Sequence, residues 1–419
     1  MLSCSTAACI RTPCQTHWAA YRLTMGREST PLVLALALCS ETALAQTTHV
    51  ITGGGSALQA GIQTATSGDV LDVQPGTYTQ VVCSKGVHIH LQPGAEIKGP
   101  FGTGPNGLKF VGVPANETAI VSGGVVYRLD MINCAGSVVV DSVVFNPMPT
   151  GNLMHIESCS GAIVFVDSAG FRSASGSFGG VDFFCITDSD QVSFTRCCVP
   201  RLEIRNSNLT ATDTTLQASG LYMESLLLVS GRVMWQGGRI NGHLPNGPAP
   251  FRLALRVNGG EFAATGSAVI ETNFLTPGSA ETSIVVNAGL VQLDPSVLVA
   301  GSPAITGPGT TSVITTPIPS LSASHTANTM NVDVASEPGD AVFVLAGLPK
   351  APYATPWGPA WILPTDPLLH ATIAGPSGML SFPYNFAAVP SHFVLTLQPV
   401  ALRSTGSIRI GAAQRFAWN

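Results

Sequence analysis

Asp141 and Asp167 are the residues whose type and spacing come nearest to a reactive pair. They end the runs Val138-x-Val140-Asp141-Ser142-x-x-Phe145 and Val164-x-Val166-Asp167-Ser168-x-x-Phe171, which match at an offset of 26. With Val138/Val140 and Val164/Val166 pointing inward, alternation turns both carboxylates outward and stacks them about 5 Å apart on neighbouring strands. Two anions that close must share a proton, bind a cation or sit beside a base. Arg196, in the looser match Val192-x-Phe194-Thr195-Arg196, would supply that charge. The chemistry on offer is an acid/base pair or a Ca²⁺-assisted lyase site. The competing reading is that each Asp ends a strand and bonds its own turn.

Asp188, Asp190, Arg196, Arg201 and Arg205 form the one dense charge cluster. Elimination on a uronate needs a cation against the substrate carboxylate and a base for the C5 proton, roles open to Arg196 and Arg201. Solvated surface charge is the plainer reading of the same residues. His88 and His90 flank Ile89 in a strand with Val87, Ile89 and Leu91 inward, so both imidazoles share an outer face. A zinc site needs further ligands, none is evident nearby, and no metal site is expected. Cys134 and Cys159, 25 apart, are expected to stack as an internal ladder of small groups. Tyr353, Trp357 and Trp361 lie in a Pro-rich loop, where exposed rings would make stacking platforms for sugars.

These residues must be positioned by short strands. The 419 residues include 44 Gly and 30 Pro, too many turn formers for long helices, and 45 % hydrophobic against 10 % charged side chains excludes a disordered chain. A net charge of −5 without a basic cluster makes nucleic acid an unlikely partner. Apolar-alternating runs recur every 24 to 30 residues, and Gly231, Gly260 and Gly289 are spaced 29 apart. A period of that length is the signature of a solenoid whose coils bury their core only by stacking. Nine or ten coils would make a rod of about 45 Å.

Ala57-Leu-Gln-Ala-Gly-Ile62, read as a helix capped by Ser56, precedes Gly68-Asp-Val-Leu-Asp-Val-x-Pro75-Gly-Thr-Tyr78. Together they resemble the opening of right-handed parallel β-helix proteins of the pectate-lyase-like superfamily. The resemblance implies an all-β, right-handed parallel β-helix over 46–315 with its N-terminal end plugged by the helix. It is silent on activity, because the superfamily includes lyases, hydrolases, esterases, tailspikes and proteins with no known reaction. The lyase run Arg-x-Pro-x-x-Arg is broken, since Cys198 stands where its first Arg belongs. Residues 316–419, after a Pro/Gly/Thr linker, read as a small antiparallel sandwich similar to C-terminal β domains of exported bacterial proteins, suited to covering the end of the rod.

Arg27, the apolar stretch 31–38 and Ala43-Leu-Ala45 have the layout of a secretory signal peptide over 25–45, cleaved near Ala45, with 1–24 a mis-assigned start. The mature chain then has no transmembrane segment and is secreted, periplasmic or on the cell surface. The resulting expectation is a non-catalytic rod contacting polysaccharide or cell-envelope glycan through its flank. The alternative is a polysaccharide lyase or glycoside hydrolase using Asp141, Asp167, Arg196 and Arg201. No cofactor is expected, apart from Ca²⁺ in the lyase case.

Overall fold

The computed structural model describes residues 46–98, 107–146, 154–170, 183–217, 224–242, 253–272, 282–301, 303–313, 317–325, 329–347, 353–355, 358–362, 368–385 and 393–418. Up to Val313 the described strands pair in parallel, each with its counterpart one coil along. The first face runs from Thr48–Ile51 through Ser137–Asp141, Ile163–Val166, Val192–Thr195 and Ser207–Thr212 to Thr310–Val313. The third face is a 10-stranded sheet from Val81–Cys83 to Ile305–Thr306, which includes Arg201–Arg205. A second face is continuous with the first because the strands His88–Ile97 and Thr118–Val126 turn the corner and belong to both. The result is a three-sided parallel β-helix.

Alternation decides what enters the rod. One inward row of the first face reads Leu71, Ile89, Val121, Val140, Phe165, Phe194, Ala211, Trp235, Ala264 and Leu293, all in one continuous core. Phe165 and Phe194 stack with ring centroids 4.7 Å apart. Gly231, Gly260 and Gly289 fall opposite one another as their spacing predicts. Each has positive φ, and a Cβ on Gly260 would lie 2.2 Å from the Gly231 carbonyl oxygen. Only glycine permits coils to approach so closely there.

The helix Ala57–Thr64 (α1) buries Leu58 and Ile62, as their spacing predicts. Ser56 stands at its N-cap but its side chain makes no capping bond. The Gln59 amide accepts from the Val82 N–H at 2.7 Å and donates to the Val82 carbonyl at 3.2 Å, engaging the outermost strand of the third face. This is how an edge is kept from pairing elsewhere.

From Ser320 onward the described strands pair antiparallel. Ser320–His325, Thr329–Ala335 and Met379–Asn385 form one sheet, and Leu368–Ile373, Ala341–Gly347, Phe393–Leu402, Ile408–Ile410 and Gln414–Trp418 another. They enclose a core that includes Leu321, Val332, Val334, Val344, Leu397 and Phe416. This unit lies along the flank of the first face, a wider role than covering the end of the rod. The strand Gln414–Trp418 packs over the strands that begin at Ile163, Val192 and Ser207. Val394 joins an outer apolar cluster with Ile120, Val139, Val164 and Val166.

Candidate functional site

The register separates Asp141 from Asp167. Val138 pairs with Ile163 and Val140 with Phe165, so Asp141 lies opposite Val166. The offset between these coils is therefore 25, one less than the sequence match suggests. The strand Ile163–Val166 is buried on both faces, and where every residue is apolar alternation does not fix which side faces in. Val164 and Val166 point outward against the C-terminal unit rather than into the core. Asp141 ends its strand and its Oδ1 accepts from Ser142 Oγ at 2.9 Å.

Asp167 and Arg196 do come together. Ser142, Asp167, Arg196 and Asp213 occupy one turn position on successive coils, with φ of 55°, 47°, 52° and 49°. Each N–H donates one coil onward, Ser142 to Val166, Asp167 to Thr195, Arg196 to Thr212 and Asp213 to Gln236. Arg196 Nε and Nη2 each donate to the Asp167 carboxylate at 2.7 Å, and Nη1 donates to the Ala323 carbonyl at 3.3 Å. The carboxylate holds the Arg196 guanidinium above its ordinary pKa. Burial raises the Asp213 carboxyl, partly offset by Ser322 and Arg196. The turn row thus carries a charge-assisted clasp to the C-terminal unit.

Arg201 lies on a different face. In the strand Arg201–Arg205, Leu202 and Ile204 enter the core while Glu203 alternates outward. Arg201 is buried between Glu203 at 3.1 Å and Glu224 at 2.7 Å. Arg205 Nε donates to Glu203 at 2.6 Å, and Arg256 lies 3.8 Å from Glu224. Further along the same sheet Asp130 holds Lys109 at 3.4 Å and Arg128 at 2.9 Å. Asp130, His155, Cys185 and Glu203 are successive register partners. The third face is therefore a network of opposite charges, and Arg196 and Arg201 do not share a cleft. Asp188 and Asp190, from the same stretch of sequence, accept from the amides of Asn206 at 2.7 Å and Asn208 at 3.1 Å.

Trp361 is 1 % exposed and packs with Met234, Ala412 and Ala413, joining the C-terminal unit to the rod. It offers no ring to solvent, which corrects the stacking-platform expectation for this residue. Trp357 and the side chain of Tyr353 lie outside the described residues. Cys134 and Cys159 occupy equivalent turn positions, continued by Ser189 and Ser207. Cys159, Ser189 and Ser207 bond the carbonyl two residues back, at 3.4, 2.9 and 2.7 Å. The ladder exists, but it is held by hydrogen bonds as well as packing.

Among solved structures, the chain is similar to full-length tailspike protein 2 of Escherichia coli O157:H7 bacteriophage CAB120. The identity is 10 %, with a TM-score of 0.38, and the match covers 89 % of this chain and 64 % of that one. This chain thus spans less than two thirds of the tailspike's length. No protein-family model matches the sequence, and no curated protein does.

One arrangement escapes the sequence reading. Val87, Ile89 and Leu91 are inward as expected, and His88 and His90 share the outer face. Between them lies Ser122 of the next coil, its Oγ 2.7 Å from His88 Nε2 and 3.0 Å from His90 Nδ1. Asp72, His90, Ser122 and Asp141 are successive register partners in one outward row. Ser122 is more than 30 residues from either histidine in sequence, and only the coil register brings them together. Among the described residues, no three His, Cys, Asp or Glu side chains converge as a metal site.

Proposed function

We propose that the mature chain is an exported rod of the pectate-lyase-like type that holds polysaccharide or cell-envelope glycan along its flank without breaking glycosidic bonds. The observation that carries this reading is the Asp167–Arg196 clasp. The carboxylate and cation that a lyase or glycosidase would use are bonded to each other and to the C-terminal unit. Asp141 is turned to Ser142, and Arg201 is enclosed by two glutamates on another face. The third face supports the binding role, because Arg128, His155, Glu157, Arg205 and Arg256 present partly exposed polar groups at a regular strand spacing of about 4.8 Å.

The test is incubation with uronate-containing and neutral polysaccharides, following ultraviolet absorbance for unsaturated products and reducing ends for hydrolysis, beside retention on glycan columns. Retention without products is the expected result. Products lost in both Asp141→Asn and Arg196→Ala would establish the lyase or hydrolase alternative instead.

A further inference from the structure

We propose that Ser122 is a nucleophile that removes O-acyl groups from a bound glycan, with His90 as its base and His88 as a hydrogen-bond donor to the same oxygen. That the substrate is a glycan rests on the reading of the chain as a glycan-binding rod, with the acylated residue taken up on the first face beside Ser122 rather than on the charged third face, whereas the acyl-transfer chemistry rests on Ser122 and its two imidazoles alone. A serine hydroxyl has one proton to donate, so of the two ring nitrogens at 2.7 and 3.0 Å one accepts and the other donates. His88 is 8 % exposed and His90 is half-buried. Burial disfavours an imidazolium, which assigns the accepting role to His90. Asp72 lies opposite His90 on the preceding strand, which places a carboxylate in the same outward row one strand from the ring.

The backbone supports the assignment. Ser122 immediately precedes Gly123 and Gly124, both with positive φ, where the strand Thr118–Val126 bends from the first face to the second. A Cβ on Gly123 would lie 2.6 Å from the Leu91 carbonyl oxygen, so the bend requires glycine. Ser122 itself is 6 % exposed, its Oγ on the outer row between the two rings just before the bend, so an acyl group must approach past the half-buried His90. The site also lies at the rim of the C-terminal unit. Ile120 and Val139 are covered together with Val394, while His90, Asp72, Gln74 and Gln92 are half-buried. Gln74 and Gln92 donate to Asp72 at 2.7 and 2.6 Å, so two amides and a carboxylate, all hydrogen-bonding partners for sugar hydroxyls, border the site.

The step balances without a cofactor. Ser122 Oγ attacks the ester carbonyl carbon as its proton passes to His90 Nδ1. The bond between carbonyl carbon and sugar oxygen breaks, and the departing oxygen takes that proton. Water then attacks acyl-Ser122, gives its proton to His90 and releases the acid, while Oγ recovers a proton from the ring. The sugar backbone stays intact.

The experiment treats the mature chain with phenylmethanesulfonyl fluoride, locates the adduct by mass spectrometry, and measures acetate released from acetylated xylan and hydrolysis of p-nitrophenyl acetate. We expect a sulfonyl adduct on Ser122 and acetate release that falls to the uncatalysed background in Ser122→Ala. His90→Ala should slow both acetate release and hydrolysis of p-nitrophenyl acetate. Because a variant could misfold, circular dichroism accompanies each. Ser122→Cys, if folded, should be alkylated by iodoacetamide faster than the double variant with His90→Ala. A folded wild-type chain that gives no adduct at Ser122 and hydrolyses neither ester overturns the proposal, even if it binds glycan. Hydrolysis of p-nitrophenyl acetate by a chain that binds no glycan would instead retain the nucleophile and remove the glycan reading.

Discussion

Asp167 and Arg196 sit at the same left-handed turn position on neighbouring coils, and the guanidinium grips both carboxylate oxygens at 2.7 Å while reaching the Ala323 carbonyl. The residues that most invite a catalytic reading thereby become part of the joint between rod and C-terminal unit. Cross-coil pairing and interdomain contact are served by one side chain. The same joint includes buried amides and Trp361, so its charged portion is its exposed rim.

Arg196 should reveal its two roles through two substitutions. A non-glycine residue at φ 52° costs about 1 kcal/mol that glycine avoids. The pair itself, with side chains 35 % and 44 % exposed, contributes about 1 kcal/mol at most. Arg196→Ala keeps the backbone cost and loses the pair, whereas Arg196→Gly loses both. Thermal unfolding should therefore rank Arg196→Gly near wild type and Arg196→Ala below it, with the gap between wild type and Arg196→Ala shrinking in 1 M salt. Equal melting of the two variants would remove the backbone part of the account.

Gln236 and Gln414 should matter more. The Gln236 amide bonds the N–H and the carbonyl of Leu321, and the Gln414 amide bonds the N–H of Ala323 at 2.9 Å and its carbonyl at 3.3 Å. Each side chain replaces a strand partner for a backbone that alternates between rod and sandwich. Gln414→Leu leaves buried backbone groups without that partner, at about 1 to 3 kcal/mol. Hydrogen exchange at Ala323 should accelerate at least tenfold, with exchange in the first coils unchanged. Equal acceleration at both places would mean that the rod and the C-terminal unit unfold as one.

Much of the fold is legible in the sequence, and the reasons it stops are physical. Gly231, Gly260 and Gly289 announce their register because only glycine fits between those coils. Leu58 and Ile62 announce the face of α1. The slip at Asp141 comes from Ile163–Val166, which is apolar at every position because one face meets the core and the other meets Val394. A run of that kind signals burial on both sides, and here it marked the bed of the C-terminal unit. Trp361 misled for the related reason that an aromatic in a Pro-rich segment reads the same whether it faces solvent or a domain joint. Ser122 was invisible because its partners are a coil away.

Asp69 makes the N-terminal coil sensitive to acid. Its carboxylate accepts from the Thr47 and Thr66 N–H groups at 3.1 and 2.8 Å and from Thr66 Oγ1 at 3.0 Å, with His49 Nε2 also at 3.0 Å. Burial pushes its pKa up, but these bonds outweigh it and bring the value down to about 2. The ordinary value is about 3.9, so the folded state binds the proton more weakly than the unfolded one. The stabilisation is therefore complete above about pH 4 and is lost as pH falls towards 2. Proteolysis by pepsin near the first strand Thr48–Ile51 should rise across that window in wild type. Asp69→Asn should show faster cleavage at pH 5 and a flatter profile.

Tolerance at Cys197 will report whether the turn ladders are held by packing or by hydrogen bonds. Ser168, Cys197 and Thr214 follow the left-handed residues of successive coils, and their side chains bond the carbonyls of Val166, Thr195 and Thr212 at 3.0, 3.3 and 3.1 Å. Cys197 N–H in turn donates to Thr214 Oγ1 at 3.4 Å. Serine reproduces the donor in a smaller volume, so Cys197→Ser should change stability by about 1 kcal/mol or less, while Cys197→Val loses the donor and crowds the turn at about 1 to 3 kcal/mol. Burial pushes the Cys197 thiol up to about 12, so it stays protonated at neutral pH and should resist iodoacetamide until the chain unfolds. Alkylation of Cys197 in the folded protein at a rate near that of a free thiol, or a more stable Cys197→Val, would show that the thiol bond to the Thr195 carbonyl, which already accepts from the Asp167 N–H, does not hold the turn.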